Sequence, residues 1–173
     1  AFVTGVQTCA LPISLPIYRK PTGEVVQLVR QLEARARIFT IDDPPFYRVI
    51  LSESSLRRMP GGASPRLVVD QVEHLLDLTR HERFTLQILT FQADIRFVDT
   101  DFQILHFTGD EPDFAYIEAP GGARTFERFE EVHEFEAHWR DLQDAALSPT
   151  GSQMFLEELA KNAKAEWDAE ESG

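Results

Sequence analysis

The chain has 173 residues, 43% of them hydrophobic and 27% charged, enough for one globular domain with a real core and too few for two comfortable ones. Its formal net charge of -12 argues against a broad phosphate-gripping surface, and no stretch reaches the roughly 18–20 apolar residues of a membrane span. The charge is uneven: from residue 110 onward there are 17 acidic and 5 basic residues, whereas the first 109 residues are balanced. This suits a solvated C-terminal surface, or an acidic face offered to a basic partner.

Val3 to Ile13, VTGVQTCALPI, resembles a translated sequencing-library adapter. It has neither the basic start nor the continuous apolar run of a signal peptide. Residues 1–13 are therefore set apart as an expected artefact, with 14–167 as a single domain and 168–173 as an acidic tail. Cys9, the one cysteine of the chain, falls inside the artefact. Disulfides and cysteine metal sites are then not expected, and a cytoplasmic location is compatible.

Thr22 can cap a first helix whose apolar stripe is Val25, Leu28, Val29 and Leu32. Asp42-Asp43-Pro44-Pro45 breaks it, because proline removes a donor and restricts its predecessor. Phe46 to Leu51 is a short strand, and Ser52 caps one or two helical turns through Arg58, ended by Pro60-Gly61-Gly62. Ser64-Pro65 is a cap and first-turn proline for a longer helix, with Val68, Val72, Leu75, Leu76 and Thr79 on its buried face. Phe84 to Phe91 is a second apolar run, covered on both faces. A strand, a helix and a strand in this order predict a parallel crossover unit. Phe102 to Phe107, Phe114 to Ala119 and Ala123 to Glu127 are further strands. Their short links favour antiparallel hairpins. Val132, Phe135, Trp139, Leu142 and Ala146 mark one helix, and Ser148-Pro149 starts another that frays beyond Trp167. The expected fold is α+β: one mixed, mainly antiparallel sheet of about five strands with one βαβ crossover, packed against helices and ending in a helical pair.

Catalytic and metal motifs are largely missing. His133 and His138 stand five apart, rotated roughly 140° on a helix, and cannot share a metal as a four-residue spacing would. His74 and His81 lack a third ligand. His106, between Leu105 and Phe107, reads as a satisfied sheet histidine. Gly61-Gly62 and Gly121-Gly122 read as turns needing positive φ rather than phosphate loops. Arg57-Arg58 closes a short helix beyond a strand end, where sheets of this type place ligands. It can hold an anionic ligand or a partner carboxylate, or serve as a helix-end charge with surface ion pairs.

The succession VILSESSLRRMPGG, QVEHLLDLTRHERFTLQILTF, DFQILHFTGDEPDFAYIEAPGG and ARTFERFEEVHEF…LQDAALSP resembles the domain of unknown function 5753. The likeness runs from about Thr22 to Leu159. Its most telling pieces are Leu56-Arg57-Arg58 with Gly61-Gly62, Gln71 to Leu78, Tyr116-Ile117-Glu118 and Ala145 to Pro149. The segment Gln92 to Asp101 departs from the family in lacking glycine.

The resemblance implies the C-terminal regulatory domain of an actinobacterial helix-turn-helix regulator of the XRE type, not itself an enzyme and with no cofactor. It implies a sensor, oligomerisation or partner-binding role, with a small-molecule effector or a small protein encoded nearby as partner. A homodimer is compatible, and DNA contact would come only through an N-terminal domain. Arg57, Arg58, Gly61, Gly62, Tyr116 and Glu118 are the expected binding residues. Two rivals stand beside this reading: a small enzyme using Arg57, His106 and Glu118, and a ligand-free interaction module of a toxin–antitoxin-like pair.

Overall fold

The computed structural model of the chain describes residues 2–7, 42–57, 64–95, 101–119 and 122–172. The strands are β1 (Phe2–Gln7), β2 (Phe46–Ser52), β3 (Phe84–Leu89), β4 (Phe102–His106), β5 (Phe114–Ala119) and β6 (Gly122–Phe126). The helices among the described residues are α1 (Glu53–Arg57), α2 (Pro65–Leu78), α3 (Phe129–Ala145) and α4 (Pro149–Glu171). The class is α+β, as expected. The first helix predicted after Thr22 lies outside the described residues, as do Arg58, Gly61 and Gly62.

The crossover is present: β2 and β3 pair in parallel, Tyr47 opposite Phe84 through Ser52 opposite Leu89, with α1 and α2 between them in the chain. The three later strands form an antiparallel ladder, β4 to β5 and β5 to β6. The expected single five-strand sheet is corrected here. The strands from Phe46 onward make one two-stranded and one three-stranded ladder, and β2 does not pair with β4. Each offers its facing backbone to β1, parallel to β2 and antiparallel to β4, which gives the order β3-β2-β1-β4-β5-β6. β1 lies within the residues set apart above on sequence grounds.

Side-chain alternation sorts the two faces. Leu51, Phe84, Leu86 and Ile88 join Leu56, Val72, Leu75 and Leu156 in one cluster, so α2 and α4 cover this face of β2 and β3. Ile50, Leu89, Phe102 and Ile104 join Val132, Trp139 and Leu142 in the other, so α3 covers the opposite face. β3 is buried at every position but Thr85, which matches its reading as an apolar run covered on both sides.

The C-terminal helices are therefore not a packed pair. They lie on opposite faces, and the chain between them crosses the free edge of β3. There the Leu147 N–H donates to the Ile88 carbonyl at 2.9 Å and the Ile88 N–H donates to Ser152 Oγ at 2.8 Å. The buried Gln87 donates through Nε2 to the carbonyls of Leu147 (2.9 Å) and Gln143 (3.3 Å), so it serves carbonyls that the end of α3 leaves without helical partners. Pro149 occupies the first turn of α4, and Ser148 Oγ accepts from the Gly151 N–H at 3.1 Å, the cap expected from Ser148-Pro149. Gln153 Nε2 then donates to Thr79 Oγ1 at 3.2 Å, tying the start of α4 to the end of α2.

Ser64-Pro65 also starts its helix as expected, through extended backbone at Ser64 and a first-turn proline, although Ser64 makes no side-chain cap bond. Gly122 has φ of 136°, the positive value foreseen for the second glycine pair. α4 does not fray at Trp167. It continues to Glu171, whose carboxylate accepts from Trp167 Nε1 at 3.1 Å. No helix among the described residues is long and apolar enough to cross a membrane.

Ser152→Ala is expected to leave the Ile88 amide without its partner and to cost about 1–3 kcal/mol in urea unfolding. Thr150→Ala, two residues earlier and exposed, is expected to stay within about 0.5 kcal/mol. Equal midpoints for the two variants would contradict the closure of this edge.

Candidate functional site

Beyond the C-terminal end of β2, Ser52 Oγ accepts from the Ser54 N–H at 3.2 Å and starts α1. This turns the Glu53 side chain inward, 5% exposed. Its carboxylate is fully engaged: Oε1 accepts from Arg57 Nε at 2.6 Å and Oε2 from the Phe91 N–H at 2.9 Å. Arg57 thus sits in the ion pair that its helix-end reading foresaw, with a buried carboxylate that ties α1 to the segment after β3. It is half-exposed, and its Nε is committed to Glu53.

Among the described residues, the other expected binding residues, Tyr116 and Glu118, do not gather around it. Tyr116 lies on β5, three strands from β2 in the sheet order, about 14 Å at the usual spacing. Glu118 is in the same strand, opposite Ala123. His106 aligns through β1 with Phe46, at the other end of β2 from Ser52, which puts it about 20 Å along the strands from α1. Arg57, His106 and Glu118 are not brought to one place.

His106 has the partner a sheet histidine needs. Asp113, in the link between β4 and β5, accepts from the Phe107 N–H through Oδ1 at 2.9 Å and lies 2.7 Å from His106 Nδ1 through Oδ2. Burial pushes the Asp113 carboxyl up, but the Phe107 amide, the His106 hydrogen bond and the His106 charge outweigh it and hold its pKa below the ordinary 3.8. An ionised carboxylate can only accept. Nδ1 therefore carries the proton, and Nε2 is left to meet another group. Glu136 of α3 also approaches, its Oε1 4.0 Å from His106 Nδ1 and its Oε2 3.4 Å from His133 Nδ1.

Two adjoining hollows lie here, between α3 and the sheet. One hollow of about 390 Å³ is lined by Arg48, Ile104, His106, Glu136, Trp139, Arg140 and Gln143. An adjoining open groove of about 670 Å³ is walled by Arg48 and Gln143 again, with Thr85, Gln87, Asp144 and the crossing segment at Ala146, Ser148 and Pro149. The strand residues share the face carrying Ile50 and Leu89. The helix residues 136, 139, 140 and 143 recur at helical spacing on the side turned toward the sheet. Trp139 and Ile104, 6% and 1% exposed, close the bottom.

Of the candidate site residues named from the sequence, His106 lines the smaller hollow, and Arg57, Tyr116 and Glu118 line neither. Arg48, Gln87, Arg140 and Gln143 were missed. The signal for Arg48 and Gln87 was a polar residue interrupting an apolar strand, as in FYRVIL and FTLQIL, on the face opposed by a helix. No group of three or more His, Cys, Asp or Glu side chains among the described residues is placed to hold a metal ion.

Asp113→Asn is expected to lower stability at neutral pH by less than about 1 kcal/mol, because the pair is partly exposed. A carboxyl with a depressed folded pKa contributes stability above its unfolded pKa and loses it as pH falls through the folded one. The deficit of the variant should therefore begin to shrink in thermal unfolding below about pH 4 and vanish once the pH is below the depressed folded pKa. A deficit unchanged down to pH 2 would contradict the assignment.

A family model described as Domain of unknown function (DUF5753) matches residues 18–158. No curated protein and no solved structure matches the chain.

Proposed function

The chain belongs to the DUF5753 family of domains of unknown function, and we propose that it is a regulatory module that takes a small effector in the cleft between α3 and the sheet. The observation that carries this reading is the pair of adjoining hollows that share Arg48 and Gln143. Their size is that of small-molecule sites; polar side chains line most of both, and Trp139 and Ile104 floor the smaller one. In the arrangement implied by the resemblance, a helix-turn-helix of the XRE type stands before this domain and makes the DNA contact. The effector then acts by binding one arrangement of the attached DNA-binding part better than another.

The cleft is suited to such coupling because its two walls belong to different parts of the fold. One wall is strand, fixed by the parallel ladder. The other is the C-terminal half of α3, held at its end by Gln87. A ligand that draws α3 toward the sheet pulls on the segment that crosses to α4. The net charge of -12 supports leaving DNA contact to another domain.

The test has two arms on the purified chain. In a thermal-shift panel of neutral, cationic and anionic metabolites, at least one class is expected to raise Tm by roughly 5 °C at about 100 Kd. With duplex DNA at physiological salt, no mobility shift is expected. A panel without any response would overturn the effector reading, and a clear DNA shift would overturn the division of labour.

A further inference from the structure

Resting on the effector reading above, we infer that the hollow takes a small organic oxyanion, a carboxylate or phosphate, held by the guanidinium of Arg140 against His106. The argument starts from a pairing that α3 does not make. Glu136 and Arg140 are four apart with the acid first, the favoured order for a helical ion pair. Yet the Glu136 carboxylate is turned to His133, at 3.4 Å, and toward His106, at 4.0 Å. Arg140 keeps only a 3.2 Å bond from Nε to the Glu136 backbone carbonyl. Asp144, one turn further on, does not pair with it either. In a chain with 29 acidic residues, Arg140 has no carboxylate within 4.0 Å among the described residues, and both its terminal nitrogens remain available at the cavity wall.

A planar fork of N–H donors fits the two oxygens of a carboxylate or phosphate. Arg48 lines the same hollow from the sheet side. Asp113 holds His106 through Nδ1, which leaves Nε2 to accept from a hydroxyl or ammonium carried by the same molecule. The carboxylate of Glu136 shares its wall with Arg140. It disfavours a bare anion and favours one that also brings a hydroxyl or ammonium donor. The apolar floor of Trp139 and Ile104 supplies a reporter as well as contact area, since the chain has 2 tryptophans and the second, Trp167, lies near the far end of α4 with its Nε1 bonded to Glu171.

The experiment is a titration of the full chain carrying Trp167→Phe, whose remaining tryptophan lies beneath the hollow. Malate and inorganic phosphate are added separately, with sodium chloride at matched ionic strength as the blank, and Trp139 emission is followed. A saturable change with either anion beyond the blank is expected, and which of the two responds identifies the oxyanion. Arg140→Gln should weaken that response at least about 10-fold, with Arg140→Lys between them because it keeps the charge and loses the fork. Arg80→Gln, on the surface beside Asp77, should leave it unchanged. Two results would overturn the inference: no saturable response to either anion, or an Arg140→Gln titration matching the parent. A thermal-shift response to neutral compounds alone would leave the effector reading standing and remove this one.

Discussion

Ile88 sits in the edge strand of the sheet, and its backbone N–H and C=O point into the open side. Buried backbone groups must be paired, and an open edge invites pairing with another chain. The structure meets both demands with one crossing of the chain, Leu147 on the carbonyl and Ser152 on the amide. The consequence is global. A chain that must pass the edge at this point leaves α3 on one face and begins α4 on the other, so each face of β2 and β3 receives its own cover. The AALSP stretch noted among the family-like pieces has a physical role here. Ala146 and Leu147 lie along the edge, Ser148 caps, Pro149 opens the helix, and Ser152 reaches back one turn later.

The same crossing shapes the cleft. Gln87 points to the face of α3 and holds the carbonyls of Gln143 and Leu147. This fixes the distance between the end of α3 and the strand, and the groove between them is what remains unfilled. Just past the C-terminal end of β2 a second polar anchor, the Glu53 carboxylate, ties α1 to Phe91 beyond β3. Both anchors stand toward the C-terminal ends of the parallel strands, one at Gln87 opposite Ile50 and one just past Ser52. Truncating either one leaves buried groups unpaired, which costs more than the bond itself contributes. The anchoring at Glu53 also explains why the rim at Arg57 is less available than the cleft. Its guanidinium is half-exposed, but its Nε holds a carboxylate that the fold needs.

Much of the element list was legible in the sequence, for definite reasons. Proline and serine at helix starts have few alternative meanings, so Ser148-Pro149 located α4 and Ser64-Pro65 located α2. Alternation and short links located β4, β5 and β6. The crossover followed from an apolar run, a helix and a second apolar run standing in that order. Periodicity states that a face is buried and not what it is buried against. Hence Val132, Trp139 and Leu142 gave a helix without its side of the sheet, and the two last helices were read as a pair. Sheet continuity was misjudged because edges carry no side-chain signal, and β2 and β4 each pair with β1 instead of each other. The cleft was illegible for a related reason. Arg48 and Arg140 lie 92 positions apart in a chain of 173 residues, and each looks like an ordinary surface cation until the crossing over Ile88 places α3 above β2.

Native-state hydrogen exchange at the Ile88 amide tests this account most directly. Its nearest partner is one serine hydroxyl at an edge, so an unclosed edge would let it fray. If the crossing is the closure on which both faces depend, Ile88 exchanges only through global unfolding, at the free energy shown by central amides of β2 such as Ile50. Exchange through a local opening several kcal/mol below that value would contradict the account.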